Sequence, residues 1–147
     1  MSEEEEHGSA PEQMPIFQKG LEIYELTVKI TDLIPEEDQV LFAFKNFMLE
    51  DAAILTVKVA GAEAADLYDV RMENATMIRK AARDLTTHCS GLKISGFKET
   101  QYLHLIREAI EEYRMLFIAW VKTFDQWNYE VDSWGLFNPP GVDSDDI

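Results

Sequence analysis

Few residues in this chain have the chemistry to act on a substrate or hold a metal. His104 and Glu108 stand at i and i+4 with Glu111 one turn further on, so on a helix the three share a face. A histidine and two carboxylates could begin a metal site. Carboxylate-bridged helical bundles, however, complete theirs with Glu-x-x-His pairs on neighbouring helices, and no predicted helix here carries one. A solvated helix face is the simpler reading. His7 lies among Glu3, Glu4, Glu5 and Glu6 in a polar stretch that brings no further ordered ligands. His88 and Cys89 are adjacent, but neighbours on a helix point about 100° apart and make no relay. Cys89 falls on an apolar seam and reads as an inert buried thiol. The acid pairs Glu50-Asp51 and Glu111-Glu112 fit solvated helix faces, and no glycine-rich phosphate loop or dinucleotide fingerprint is present. The expectation is a protein that is not an enzyme, with no catalytic, metal or cofactor residues.

The elements that would position these residues are helices. Leu103, Ile106, Ile110, Tyr113, Phe117, Trp120, Phe124, Trp127, Val131 and Trp134 alternate spacings of three and four. This seam predicts a helix from Thr100 to Trp134, ended by Gly135 with Leu136 placed for the accompanying apolar contact. A first helix should begin at Pro15, which suits an opening turn, and end near Ile34 before Pro35. Its rows are Phe17, Leu21, Tyr24 and Val28, with Ile16, Ile23 and Ile30 beside them. Gly20 inside it is a mild cost. A second helix opens at Pro35-Glu36-Glu37-Asp38 and carries the seam Leu41, Phe44, Met48, Ala52, Leu55, Val59 and Ala62. Val40, Phe42, Phe47, Leu49, Ile54 and Val57 spread apolar character beyond that seam, which suggests burial on more than one side. A break falls near Ala64 to Leu67, where Asp66 could cap a third helix. That helix presents Tyr68, Ala75, Ile78, Ala82, Leu85, Cys89 and Leu92 and closes at Gly91. Strand-like alternation is missing. The fold class is all-α: an antiparallel four-helix bundle, up-down-up-down, over residues 15–137. A disordered acidic tail is expected over 1–14 and an acidic C-terminal tail over 138–147.

The 147 residues carry 28 acids and 13 bases, a formal net charge of −15. Glu3, Glu4, Glu5, Glu6, Glu12, Asp143, Asp145 and Asp146 lie in the tails, which leaves 20 acids against the 13 bases and a body near −7. An acidic body argues against binding to a bare phosphate backbone, which draws most of its affinity from a basic face. One cysteine excludes a disulfide within the chain. The opening residues lack the pattern of a signal peptide, and no apolar stretch approaches the ~20 residues that span a bilayer. The default is a soluble cytoplasmic protein with no membrane partner.

The residues left over are aromatic. Trp127, Tyr129, Trp134 and Phe137 lie beyond the length that the first and third helices could cover, and Phe42 and Phe47 lie off the second seam. Either the other helices reach them or they pack across a subunit boundary, where Trp and Tyr are favoured. The leading functional expectation is a non-enzymatic homo-oligomer acting as an interaction or scaffold module. An alternative is an accessory subunit of a nucleic-acid-processing machine such as a reverse transcriptase, which would use a basic stripe of Arg71, Arg79, Lys80, Arg83 and Lys93. A further alternative is a bundle that binds a small ligand or a metal.

The order of pieces resembles a four-helix-bundle family named after proteins encoded in intervening sequences of large-subunit ribosomal RNA genes. Gly20-Leu21-Glu22-Ile23-Tyr24-Glu25-Leu26 is similar to that family's opening Leu-Glu-Val-Trp-Gln segment, and Ile34-Pro35-Glu36-Glu37 to its Phe-Pro-x-Glu link. Ala52-Ala53-Ile54 resembles its Ala-Ala-Val, and Ala62-Glu63 matches part of its Asn-Ile-Ala-Glu-Gly. Val59-Ala60-Gly61, Leu67-Tyr68 and Leu116-Phe117-Ile118-Ala119-Trp120-Val121 look like the related accessory variability proteins of diversity-generating retroelements. The likeness covers residues 16 to 124. It implies a bundle that assembles into a ring, often a pentamer, and for the retroelement branch a reverse transcriptase and its RNA as partners. Those accessory proteins are basic, and this chain is acidic. Neither branch implies catalytic residues.

Overall fold

The computed structural model describes residues 10–146. Most of the tail expected over 1–14 lies outside the described residues. Its end, Pro11–Gln13, forms a 3-10 turn, and Met14 packs against the core. Four helices follow: α1 Pro15–Thr31, α2 Gln39–Ala65, α3 Tyr68–Ile94 and α4 Leu103–Val121. They pack as an up-down bundle in which α1 meets α2 and α4, and α2 meets α3 most extensively. The α3–α4 side is the least closely packed.

The core face of α1 is the Ile16, Ile23 and Ile30 row, with Leu21 and Tyr24 turned outward. The pattern is displaced because three of the core positions, Gly20, Thr27 and Thr31, are not apolar in type. At Gly20 an added Cβ would lie 2.9 Å from the Leu55 carbonyl oxygen, so glycine is what lets α1 and α2 touch. Thr27 is buried because its hydroxyl donates to the Ile23 carbonyl at 2.7 Å, and Thr31 does the same to Thr27 at 2.7 Å. Each hydroxyl is satisfied one turn back, so its methyl can join the core.

Asp38 caps α2 by accepting the Leu41 N–H at 3.1 Å, so the helix opens one turn after Pro35. Leu41, Met48, Ala52, Leu55, Val59 and Ala62 are buried, as the seam predicts, and Phe44 is half-buried. The break comes at Asp66, which ends α2 with φ 58° and so closes one helix where it was expected to start the next. The end of α3 falls beyond Gly91. Phe97 N–H bonds the Leu92 carbonyl at 3.1 Å and Gly96 N–H that of Lys93 at 3.2 Å, with Gly96 at φ 104°. That is a Schellman closure with glycine at C′. Gly91 is instead where α3 passes Phe44, whose ring atom would stand 2.6 Å from an added Cβ.

The largest departure is α4, which stops at Val121, well short of Trp134. Trp120 and Phe124 remain buried, and the chain then leaves the bundle in a series of turns. Pro139, placed in the C-terminal tail by the sequence, is fully buried. Among the described residues no helix is long and apolar enough to cross a membrane.

Candidate functional site

Two surfaces stand out, and they meet at one end of the bundle. The first is a groove of ≈ 590 Å³ between α3 and α4. Its walls are the apolar side chains of Ile78, Ala82, Ile110 and Phe117, and Arg79, Arg83 and Arg114 stand along it. The groove lies where α3 and α4 pack least closely against each other. The Arg107 guanidinium donates to the Ser90 hydroxyl and ties the two helices together on one side of it.

The predicted basic stripe is divided by this geometry. Arg79 and Arg83 both line the groove. Arg71 is taken up at the α2–α3 turn, 3.3 Å from Asp66 and 3.8 Å from Glu63, with its guanidinium 5.5 Å from the centre of the Phe124 ring. Lys80 pairs with Asp84 at 2.6 Å, and Lys93 lies with Arg107 in a separate hollow. Arg114, on α4, joins Arg79 and Arg83 across the groove, and sequence reading missed it. Only the packing of α4 against α3 brings it there.

The second surface is the segment after α4. Asn128 clamps it to the α2–α3 turn: its side chain donates to the Asp66 carbonyl at 2.6 Å, and its own carbonyl accepts the Tyr68 N–H at 2.8 Å. The next turn is built around Asp132. One carboxylate oxygen accepts the Trp134 N–H at 2.9 Å, and the other accepts those of Leu136 and Phe137, each at 2.9 Å. Asn138 holds the Asp132 backbone from both sides, accepting its N–H at 2.8 Å and donating to its carbonyl at 3.0 Å. Gly135 supplies the left-handed residue the turn needs, φ 75°. The N–H groups of Phe137, Trp134 and Leu136 hold the Asp132 carboxyl below the usual aspartate range.

This turn holds Trp134 and Leu136 out in solvent, 89% and 74% exposed. Trp127, with its N–H on the Asp125 carboxylate at 3.0 Å, is 67% exposed. Tyr129 is half-buried. Phe137 folds back and lines a smaller hollow with Met72, Arg79 and Phe117, directly beside the α3–α4 groove. The expected interface residues on α2 differ from these. Phe42 is half-buried with the Lys45 ammonium 5.7 Å from its ring centre. Phe47 is 52% exposed and stacks on His88 at 5.5 Å.

His88 forms the one histidine–carboxylate contact among the described residues, Nδ1 to the Asp51 carboxylate at 2.8 Å, across the α2–α3 interface. Burial raises the Asp51 carboxyl, and the His88 hydrogen bond partly opposes it. The two residues are 37 apart in the chain, so no local pattern announces the pair. Cys89 is fully buried, and burial pushes its thiol up to about 11. His104, Glu108 and Glu111 are all exposed, and Glu111 is engaged by Arg114 at 2.8 Å. Among the described residues no three His, Cys, Asp or Glu side chains gather where they could hold a metal ion. No protein-family model, curated protein or solved structure matches the chain.

Proposed function

We propose that this four-helix protein is a non-enzymatic interaction module that works as a homo-oligomer. The observation that carries the reading is the Asp132 turn, which holds Trp134 and Leu136 at 89% and 74% exposure. Large apolar side chains scattered singly on a surface need no explanation. Here two sit on one turn anchored by three backbone hydrogen bonds, so their exposure is built into the backbone. Trp is also the residue most enriched among the anchors of protein interfaces. The short motifs that resemble those of the ribosomal intervening-sequence proteins point the same way, toward a bundle that assembles with copies of itself.

The accessory-subunit reading draws on Arg79, Arg83 and Arg114 along the α3–α4 groove. It has less support, because Arg71 and Lys80 are engaged by acids of the same chain and because the chain as a whole is acidic. The measurement that separates the readings is the solution mass by light scattering on a size-exclusion column, at two protein concentrations. A mass that is a stable multiple of 16.9 kDa is expected. A monomer at both concentrations overturns self-association.

A further inference from the structure

We infer that the α3–α4 groove is the receptor for the Trp134–Leu136 turn of a second copy of this chain. The inference rests on the self-association reading and names the surfaces that carry it.

The two surfaces complement each other in three ways. In apolar character, the groove offers Ala82, Phe117 and Ile118 over a floor of Ile78 and Ile110, in ≈ 590 Å³ of open space, room for an indole and a leucine side chain together. The turn offers those two groups with little left to order, since Asp132 already fixes the backbone that carries them. An anchor held in place before binding loses less conformational freedom on docking.

In charge, the groove is flanked by Arg79, Arg83 and Arg114, with Glu111 beside Arg114 and paired with it at 2.8 Å, in a chain whose net charge is −15. The first two make no ion pair among the described residues. The turn is flanked by acids. A Cβ added at Gly135 would meet Ser144 at 3.7 Å, so the Asp143–Asp146 stretch lies directly alongside it, and Asp143, Asp145 and Asp146 are exposed. Arginines beside an apolar groove and aspartates beside an apolar knob favour the pairing and its register.

In position, knob and groove lie on one side of the molecule. Phe137 shares a hollow with Arg79 and Phe117, which also line the groove. A two-fold axis near that side can therefore offer each copy's knob to the other's groove, a self-complementary contact that closes. The chain does not fill its own groove, because Phe137 pins the segment at the groove's foot while Trp134 stays 89% exposed.

The test compares the full chain with Trp134→Ala and Arg83→Glu by sedimentation velocity over a dilution series, with circular dichroism as the check on folding. Both residues are exposed, so both variants should keep the wild-type helical signal. Trp134→Ala is expected to weaken self-association about 30-fold or more, the scale of an interface anchor. Arg83→Glu is expected to weaken it about 10-fold at low salt and less at high salt. Wild-type chain that associates while Trp134→Ala is unchanged overturns the knob and leaves self-association standing. Loss with Trp134→Ala but none with Arg83→Glu at low salt places the knob in another receptor and overturns the groove. Wild-type chain that stays monomeric overturns this inference together with the reading beneath it.

Discussion

Trp120 and Trp127 are seven residues apart on one apolar seam, yet the fold treats them in opposite ways. Trp120 is buried, its indole N–H on the Glu63 carboxylate at 2.7 Å and its ring edge-on to Phe124 at 4.8 Å. Trp127 is 67% exposed on a turn. The contact with Glu63 places Trp120 level with the last turn of α2, which ends at Ala65. Beyond it there is no facing helix left to receive a side chain. Most helical stability comes from packing an apolar face, so a seam without a partner does not sustain its helix. Asp125 and Asp132 then take the backbone N–H groups of Trp127, Trp134, Leu136 and Phe137 into turns that compete with the helix. The pair teaches that a periodic seam reports a capacity for burial, and that the length of the neighbours decides how much of the capacity is used.

The contrast breaks most sharply in stability. Trp120→Ala should cost about 3–5 kcal/mol, the range for truncating a buried aromatic, and should leave the Glu63 carboxylate to Arg71 alone. Trp127→Ala should stay within about 0.5 kcal/mol, as surface changes usually do. Urea denaturation of both variants, dilute enough to keep the protein dissociated, measures the difference. Equal shifts in midpoint would show that Trp127 is buried in the folded chain after all and would remove the distinction.

A smaller effect sharpens the inner half of the comparison. The Tyr113 hydroxyl donates to the Leu55 carbonyl at 2.7 Å from a fully buried position, and burial drives its phenol well above the usual range. Leu55 lies inside α2, so its carbonyl also serves the helix's own ladder. Tyr113→Phe should therefore cost only about 0.5–1.5 kcal/mol, one net hydrogen bond, by the same denaturation measurement. A loss as large as that of Trp120→Ala would mean that the Leu55 carbonyl has no second partner.

The same contrast marks what the amino-acid sequence disclosed. The bundle, the seams of α2 and α3 and the inner half of α4 were legible because each follows a long run of apolar residues at helical spacing. The core face of α1 was displaced because Gly20, Thr27 and Thr31 do the work of apolar residues there, and their fitness depends on a neighbouring helix and on carbonyls one turn back. Gly91 resembled a cap because glycine signals both a left-handed turn and a close approach, and only the Phe44 ring decides between them. The exposed aromatics were recognised as surplus, but the groove was not, because it depends on how far α3 and α4 stand apart. Arg114 and the Asp51–His88 pair were hidden for the same reason: each depends on residues of two helices that lie far apart in the sequence and meet only through packing.

The smallest effect is local, and it tests what holds the outer aromatics in place. Asp132 has its carboxyl held low by the Phe137, Trp134 and Leu136 N–H groups. A carboxyl depressed in the folded state stabilises its turn above the usual aspartate range, and the contribution fades as pH falls through the folded value. Backbone amide resonances of Trp134, Leu136 and Phe137 should therefore move together at acid pH with one midpoint below that range. Asp132→Asn keeps one acceptor oxygen where the carboxylate had two, so amide exchange should quicken in this turn and leave Tyr113 and Trp120 protected. Three unrelated midpoints would mean that the turn is not a unit. Its aromatics would then be exposed only because nothing holds them, and the sharp difference between the two halves of the seam would become a gradual fraying.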